Sequence, residues 1–241
     1  MPSTISKTLL LTFSTLTTLT SALPHLTPRG AAIQFGFPLT GGSSELPLTP
    51  LDLSQVFLVT IGRGVQNYTC PPGSTAPVQK GASTGAIAQL FDVTAKMAQS
   101  QDFVDLVTNI AQRNPRPSLE DVSVADAGLL NGEFEKACFH FFDAEGTPVF
   151  DCGDKGIILA SKLDSVPAPT EGTAGVEGAA AVPWLELAAK EGSRGITKII
   201  RIVTTGGSAP ASCEGVGADE VVQVDYSAQY WMMNNGTMGS M

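Results

Sequence analysis

Val222-Gln223-Val224-Asp225-Tyr226-Ser227-Ala228-Gln229-Tyr230 alternates apolar and polar side chains without a break. A strand sends successive side chains to opposite faces, so this stretch reads as a strand with one buried face (Val222, Val224, Tyr226, Ala228, Tyr230) and one wet face. Trp231 falls on the wet face by parity and is expected to be exposed.

Other β-favouring runs lie upstream. Val56 to Ile61 is one, and Gly62-Arg63-Gly64 is expected to punctuate it before Val65 to Cys70 resumes. Ala86 to Val93, Gly156 to Ala160 and Ile196 to Thr205 add further runs, and a Pro, Gly, Ala and Thr stretch from Val166 to Val182 reads as a long surface loop. The clear helical pattern covers Gln101 to Gln112, with Ser100 at its start and Phe103, Leu106, Val107, Ile110 and Ala111 on one stripe. It reads as an amphipathic helix packed on a sheet. No βαβ alternation or repeating unit is present, so the expected fold is mainly β: an antiparallel sandwich or barrel with one or two short helices, stabilised by disulfides.

The first 22 residues have the pattern of a secretory signal: Lys7, then Leu9, Leu10, Leu11, Phe13, Leu16 and Leu19, then small residues ending at Ala22. The threonines and serines between the leucines make a spanning helix a poor alternative. The expected organisation is a signal at 1–22, an extended arm at 23–45, a single domain at 46–232 and a tail at 233–241. The expected location is outside the cell or at its wall. Removing Lys7 leaves 14 − 1 = 13 basic residues against 23 acidic ones, a net charge of −10. Such a surface repels phosphate backbones, so nucleic acid is not an expected partner, nor is a membrane once the signal is cleaved.

In an exported chain four cysteines are expected to form two disulfides. Between Cys138 and Cys152 a hairpin centred on Glu145 sets the two cysteines opposite each other and His140 opposite Phe150, which favours Cys138–Cys152. Cys70–Cys213 follows by elimination, closing a loop whose restriction is worth about 4 kcal/mol. Asn67-Tyr68-Thr69 and Asn235-Gly236-Thr237 are glycosylation sequons.

Catalytic templates fail on these residues. Gly62-x-Gly64 would need a third glycine where Asn67 stands, and Thr204-Thr205-Gly206-Gly207 lacks the phosphate-loop lysine and reads as a glycine turn. The only histidines are His25 and His140, too few for a histidine-rich metal site. No cofactor or metal is implied. Among acids, Asp92, Asp143, Asp151, Asp154 and Asp225 lie on or near strands and could serve paired-carboxylate hydrolysis. The aromatics Trp184, Tyr226, Tyr230 and Trp231 could instead form a sugar-stacking or apolar-ligand surface.

Val65-Gln66-Asn67-Tyr68-Thr69-Cys70, His140-Phe141-Phe142, Val182-Pro183-Trp184-Leu185, Thr204 to Pro210 and Tyr226-Ser227-Ala228-Gln229-Tyr230-Trp231 occur in an order that resembles the secreted fungal and bacterial domain-of-unknown-function family 3455. The resemblance covers residues 46 to 232 and implies a shared fold and export. Some members carry the label malate dehydrogenase, which the failed dinucleotide pattern disfavours here. The family implies no catalytic set; its matched positions make Tyr68, His140, Trp184, Tyr230 and Trp231 the candidate ligand-binding residues. The expected function is that of an extracellular or wall-associated β-domain that binds glycan or a small apolar ligand, with a hydrolase using carboxylates or His140 as the alternative.

Overall fold

The computed structural model describes residues 52–79, 85–113, 133–169, 174–175, 178–218 and 220–234. The chain divides into two units between Ala31 and Ala32, and every described residue belongs to the second. The expected signal, the arm, the Asn235 sequon and nearly all of the C-terminal tail lie outside the described residues.

Eight antiparallel strands close into a barrel. Their order is β1 (Val56–Thr69), β3 (Ala86–Asp92), β4 (Lys136–Phe142), β5 (Pro148–Asp151), β6 (Ile157–Val166), β7 (Trp184–Ala189), β8 (Lys198–Gly206) and β9 (Val221–Met233), and β9 pairs back on β1. A two-residue strand, β2 (Val78–Gln79), adds to the end of β1 at Tyr68 and Thr69. Outside the wall lie the helices α1 (Thr94–Met97) and α2 (Gln101–Ala111). Ser100 caps α2 by accepting a hydrogen bond from the Phe103 amide. The mainly β, disulfide-stabilised fold expected from the sequence is present as the barrel alternative.

β1 runs through Gly62-Arg63-Gly64 without a turn, against expectation. The glycines face inward, where side chains would collide. A Cβ on Gly62 would sit 2.6 Å from the Tyr230 ring, and one on Gly64 would sit 1.9 Å from the Ile87 carbonyl oxygen. They are there for close approach, not for chain reversal. The Thr204-Thr205-Gly206-Gly207 stretch does bend: register shifts between Ile202 and Thr205, with Val203 at φ 48° and Gly206 and Gly207 both at positive φ.

Two apolar clusters sit on the two sides of the wall. The inner one joins Leu58, Leu90, Phe150, Ile158, Ile199, Tyr226 and Tyr230; the outer joins Val59, Ile61, Phe91, Val104, Val107, Trp184 and Trp231 beneath the helices. β9 therefore has no wet face along its second half. Ser227 donates to the Thr108 carbonyl at 2.6 Å, Gln229 to the Asp105 carboxylate at 2.6 Å, and the Trp231 indole to Gln229 at 3.0 Å. The alternation is real, but α2 supplies the polar partners in place of water. α2 buries Val104, Val107, Thr108 and Ala111, leaving Phe103 and Leu106 of the expected stripe exposed.

Both expected disulfides form, Cys70–Cys213 and Cys138–Cys152. The β4–β5 hairpin pairs His140 with Phe150, the register read from the sequence.

Gly64→Ala should destabilise the barrel by about 3 kcal/mol or more, because the added methyl meets backbone on β3 that cannot yield. Urea unfolding of the two proteins, compared at equal slope, measures it.

Candidate functional site

The two ends of the barrel interior differ. One is sealed by the Cys138–Cys152 disulfide, whose sulfurs lie 3.8 and 3.5 Å from the Met232 thioether, together with Leu58, Ile158, Ile196 and Ile199. The other holds a cavity of about 260 Å³. An eight-stranded barrel is just wide enough to be filled by its own side chains or to hold one small ligand, and here each half takes one of those outcomes.

Apolar cavity walls come from Phe142, Pro148, Phe150, Leu185, Leu187 and Val182. Polar groups come from Gln66 and Tyr68 on β1, Gln79 on β2, His140 on β4, Lys162 and Ser165 on β6, Arg201 on β8 and Tyr230 on β9. Strand parity puts them there. His140 stands opposite Ala88 and Phe150, and Arg201 stands between Leu185 and Tyr230.

His140 is 4% exposed, its ring stacked on Phe150 with centroids 4.0 Å apart and planes 7° from parallel. Its Nδ1 lies 2.8 Å from the Val149 carbonyl oxygen. That oxygen can only accept, so Nδ1 carries the proton and Nε2 keeps a lone pair. Burial, with the Arg201 charge adding to it, lowers its pKa from 6.5 to about 4. The ring is neutral at physiological pH. Tyr68 donates to the Gly207 carbonyl at 2.6 Å, so the glycine turn after β8 anchors a cavity residue. Tyr226 and Tyr230 share a hydrogen bond of 3.0 Å, and burial raises both phenols. The Arg201 guanidinium acts on the Tyr230 hydroxyl through its charge and as a hydrogen-bond donor, and its Nη2 donates to the Pro183 carbonyl at 2.8 Å.

Of the five candidates from sequence, the cavity gathers Tyr68, His140 and Tyr230. It excludes both tryptophans. Trp184 and Trp231 belong to the cluster outside the wall, and Trp231, expected to be exposed, is 0% exposed beneath α2. Sequence reasoning missed Arg201, Lys162, Gln66 and Gln79. Arg201 stands among Ile199, Ile200 and Ile202 in an apolar run, and a lone cation there was the available signal.

The acids considered for hydrolysis sit elsewhere. Asp92 pairs with Lys155 at 2.7 Å, Asp225 with Arg63 at 2.7 Å, and the carboxylates of Asp143 and Asp151 accept from the backbone amides of Thr147 and Gly153. Asp154 is exposed on the turn after β5. Asn67, the other sequon asparagine, is 3% exposed in the wall of β1.

Fold and site together define an antiparallel β-barrel plugged at one end and holding a polar-lined cavity at the other. Over residues 52–234 the sequence matches a family described as protein of unknown function (DUF3455), and the chain belongs to that family. No curated protein and no solved structure gives a significant match.

Two outcomes follow. With a folded-state His140 pKa near 4 against 6.5 unfolded, the unfolded chain binds the extra proton between those values. Stability is therefore fully present above pH 6.5 and falls by about 3 kcal/mol as pH drops to 4. His140→Gln should remove that share of the slope in urea titrations run across the range. Correctly folded secreted protein should carry no glycan on Asn67, because a glycan attached to this buried amide could not be accommodated in the folded wall; intact mass before and after Asn67→Gln should differ only by the side chain.

Proposed function

We propose that this chain is an exported, disulfide-bonded barrel that binds one small molecule in its interior. The observation that carries the reading is the cavity of about 260 Å³, which gathers Tyr68, His140 and Tyr230 against aromatic and aliphatic walls. A concave, mainly apolar space with a few placed polar groups is the usual form of a small-ligand site, and this one lies just below the usual size range of about 300 Å³ and upward. It suits an apolar ligand with a polar end.

The glycan version of the reading has less support, because Trp184 and Trp231 pack outside the wall and offer no stacking platform. A dinucleotide is several times larger than the cavity, so the dehydrogenase label has no support from this site. Hydrolysis by paired carboxylates has none either, since no Asp or Glu lines the cavity among the described residues. His140 keeps a free lone pair and would be the base of any hydrolase here; loss of ester turnover in His140→Ala would favour that rival. Export is supported by the leader pattern and by the two disulfides, which persist in oxidising compartments. No helix among the described residues is long and apolar enough to cross a membrane.

Protein-observed NMR with a set of neutral aromatic and aliphatic fragments of up to about a dozen non-hydrogen atoms tests the reading. Fragments that bind should shift His140, Phe150 and Leu187 together. Ala86→Phe, which fills the cavity from β3, should abolish those shifts while leaving the fold intact. Fragments that bind without touching these resonances, or with equal affinity to Ala86→Phe, would sink it.

A further inference from the structure

The charge lining the cavity is opposite to the charge of the protein. The chain carries 14 basic and 23 acidic residues, yet the charged side chains lining this cavity are Arg201 and Lys162. Lys162 is exposed toward the rim, whereas Arg201 stands deeper, between Leu185 and Tyr230. Among the described residues no carboxylate pairs with Arg201. Its guanidinium meets the Pro183 carbonyl and the Tyr230 hydroxyl, both neutral, and its Nε is buried without a hydrogen-bond partner.

A charge drawn partly out of water, with one donor atom fully buried, is costly unless an opposite charge or an acceptor compensates it. A second observation points the same way. Gln66 is 2% exposed and lines the same cavity; its Oε1 accepts from Gln79 at 2.6 Å, but its Nε2 donates to nothing. Buried donors without acceptors are rare in native folds and ask for one. Two unpartnered donors, one cationic and one neutral, thus belong to side chains that line a space with no acid among the described residues.

We propose that the ligand is a small organic monoanion, of the carboxylic acid class, with its carboxylate held by Arg201 and Gln66 and its apolar body against Phe142, Phe150, Leu185 and Leu187. This rests on the small-molecule reading of the barrel and deepens it. One partly buried guanidinium matches one negative charge, and its planar fork matches a carboxylate. Inorganic anions such as phosphate fit less well, because the apolar walls would strip their water without replacing it. At roughly 20 Å³ per packed non-hydrogen atom, the volume holds about a dozen such atoms. His140 stays neutral beside this site, with the Arg201 charge opposing its protonation. It can accept a hydrogen bond through Nε2 and does not compete for the anion as a fixed charge.

Calorimetry with 3-phenylpropanoate and its neutral isostere 3-phenylpropanamide on the full folded chain, near pH 7 and at fixed ionic strength, tests this. The carboxylate should bind wild type at least tenfold more tightly than the amide. Arg201→Gln should erase that preference while leaving amide affinity within about threefold, and Gln66→Leu should weaken the carboxylate by a smaller factor. Should Arg201→Gln fail to fold, Arg201→Lys, which keeps the charge, should retain the preference in reduced form. Equal affinity for the two probes in wild type overturns the proposal, as does a preference that survives Arg201→Gln. If neutral fragments occupy the cavity but the probe pair shows no discrimination, the anion assignment fails alone; if nothing small occupies it, the binding reading fails with it.

Discussion

Closure of β1 on β9 is the constraint from which the rest follows. Pairing runs from Val56 with Met233 to Thr69 with Val221, along almost the full length of both strands. The other rungs of the barrel join strands that are near neighbours in sequence, so this seam alone turns an open sheet into a ring. A ring has no unpaired edge to template association. Arg63 and Asp225 form their ion pair across the seam, and Cys70–Cys213 links the segment after β1 to the loop before β9. The covalent tie and the hydrogen-bonded one hold the same two strands in place.

Closure also explains why β9 must satisfy two environments. Inside, Tyr226, Ala228, Tyr230 and Met232 fill the barrel; outside, Ser227, Gln229 and Trp231 meet α2. A helix laid on the wall hides polar groups from water, and each therefore needs a partner within the protein. Thr108 and Asp105 of α2 serve Ser227 and Gln229, and Gln229 in turn accepts from the Trp231 indole. The outer layer is thus matched by hydrogen bonding as well as by apolar contact.

Much of the fold was legible because antiparallel pairing between neighbouring strands leaves local marks. The β4–β5 hairpin and its disulfide followed from a symmetric spacing about Glu145, and strand parity marked Tyr226 and Tyr230 as interior. What could not be read was what covers the other face. The same alternation serves a strand in water and a strand under a helix with polar partners, so Trp231 was misplaced. Gly62 and Gly64 resemble a turn because sequence does not show the Tyr230 ring and the β3 backbone that need their space. The site was half legible for a related reason. Tyr68, His140 and Tyr230 stand out as aromatic or titratable residues on strands, but Arg201 and Gln66 matter through the partners they lack, and a missing partner is a property of three dimensions only.

The plugged end gives the barrel interior a direction. With Cys138, Cys152 and Met232 packed sulfur against sulfur at one end, the cavity is a blind well, not a passage. Water leaving it and any solute entering it must use the same opening, so exchange is sequential. For any solute that the well takes up, the rim formed by Lys162 and Ser165 of β6 and by Val182 and Pro183 lies on the only route in and out among the described residues.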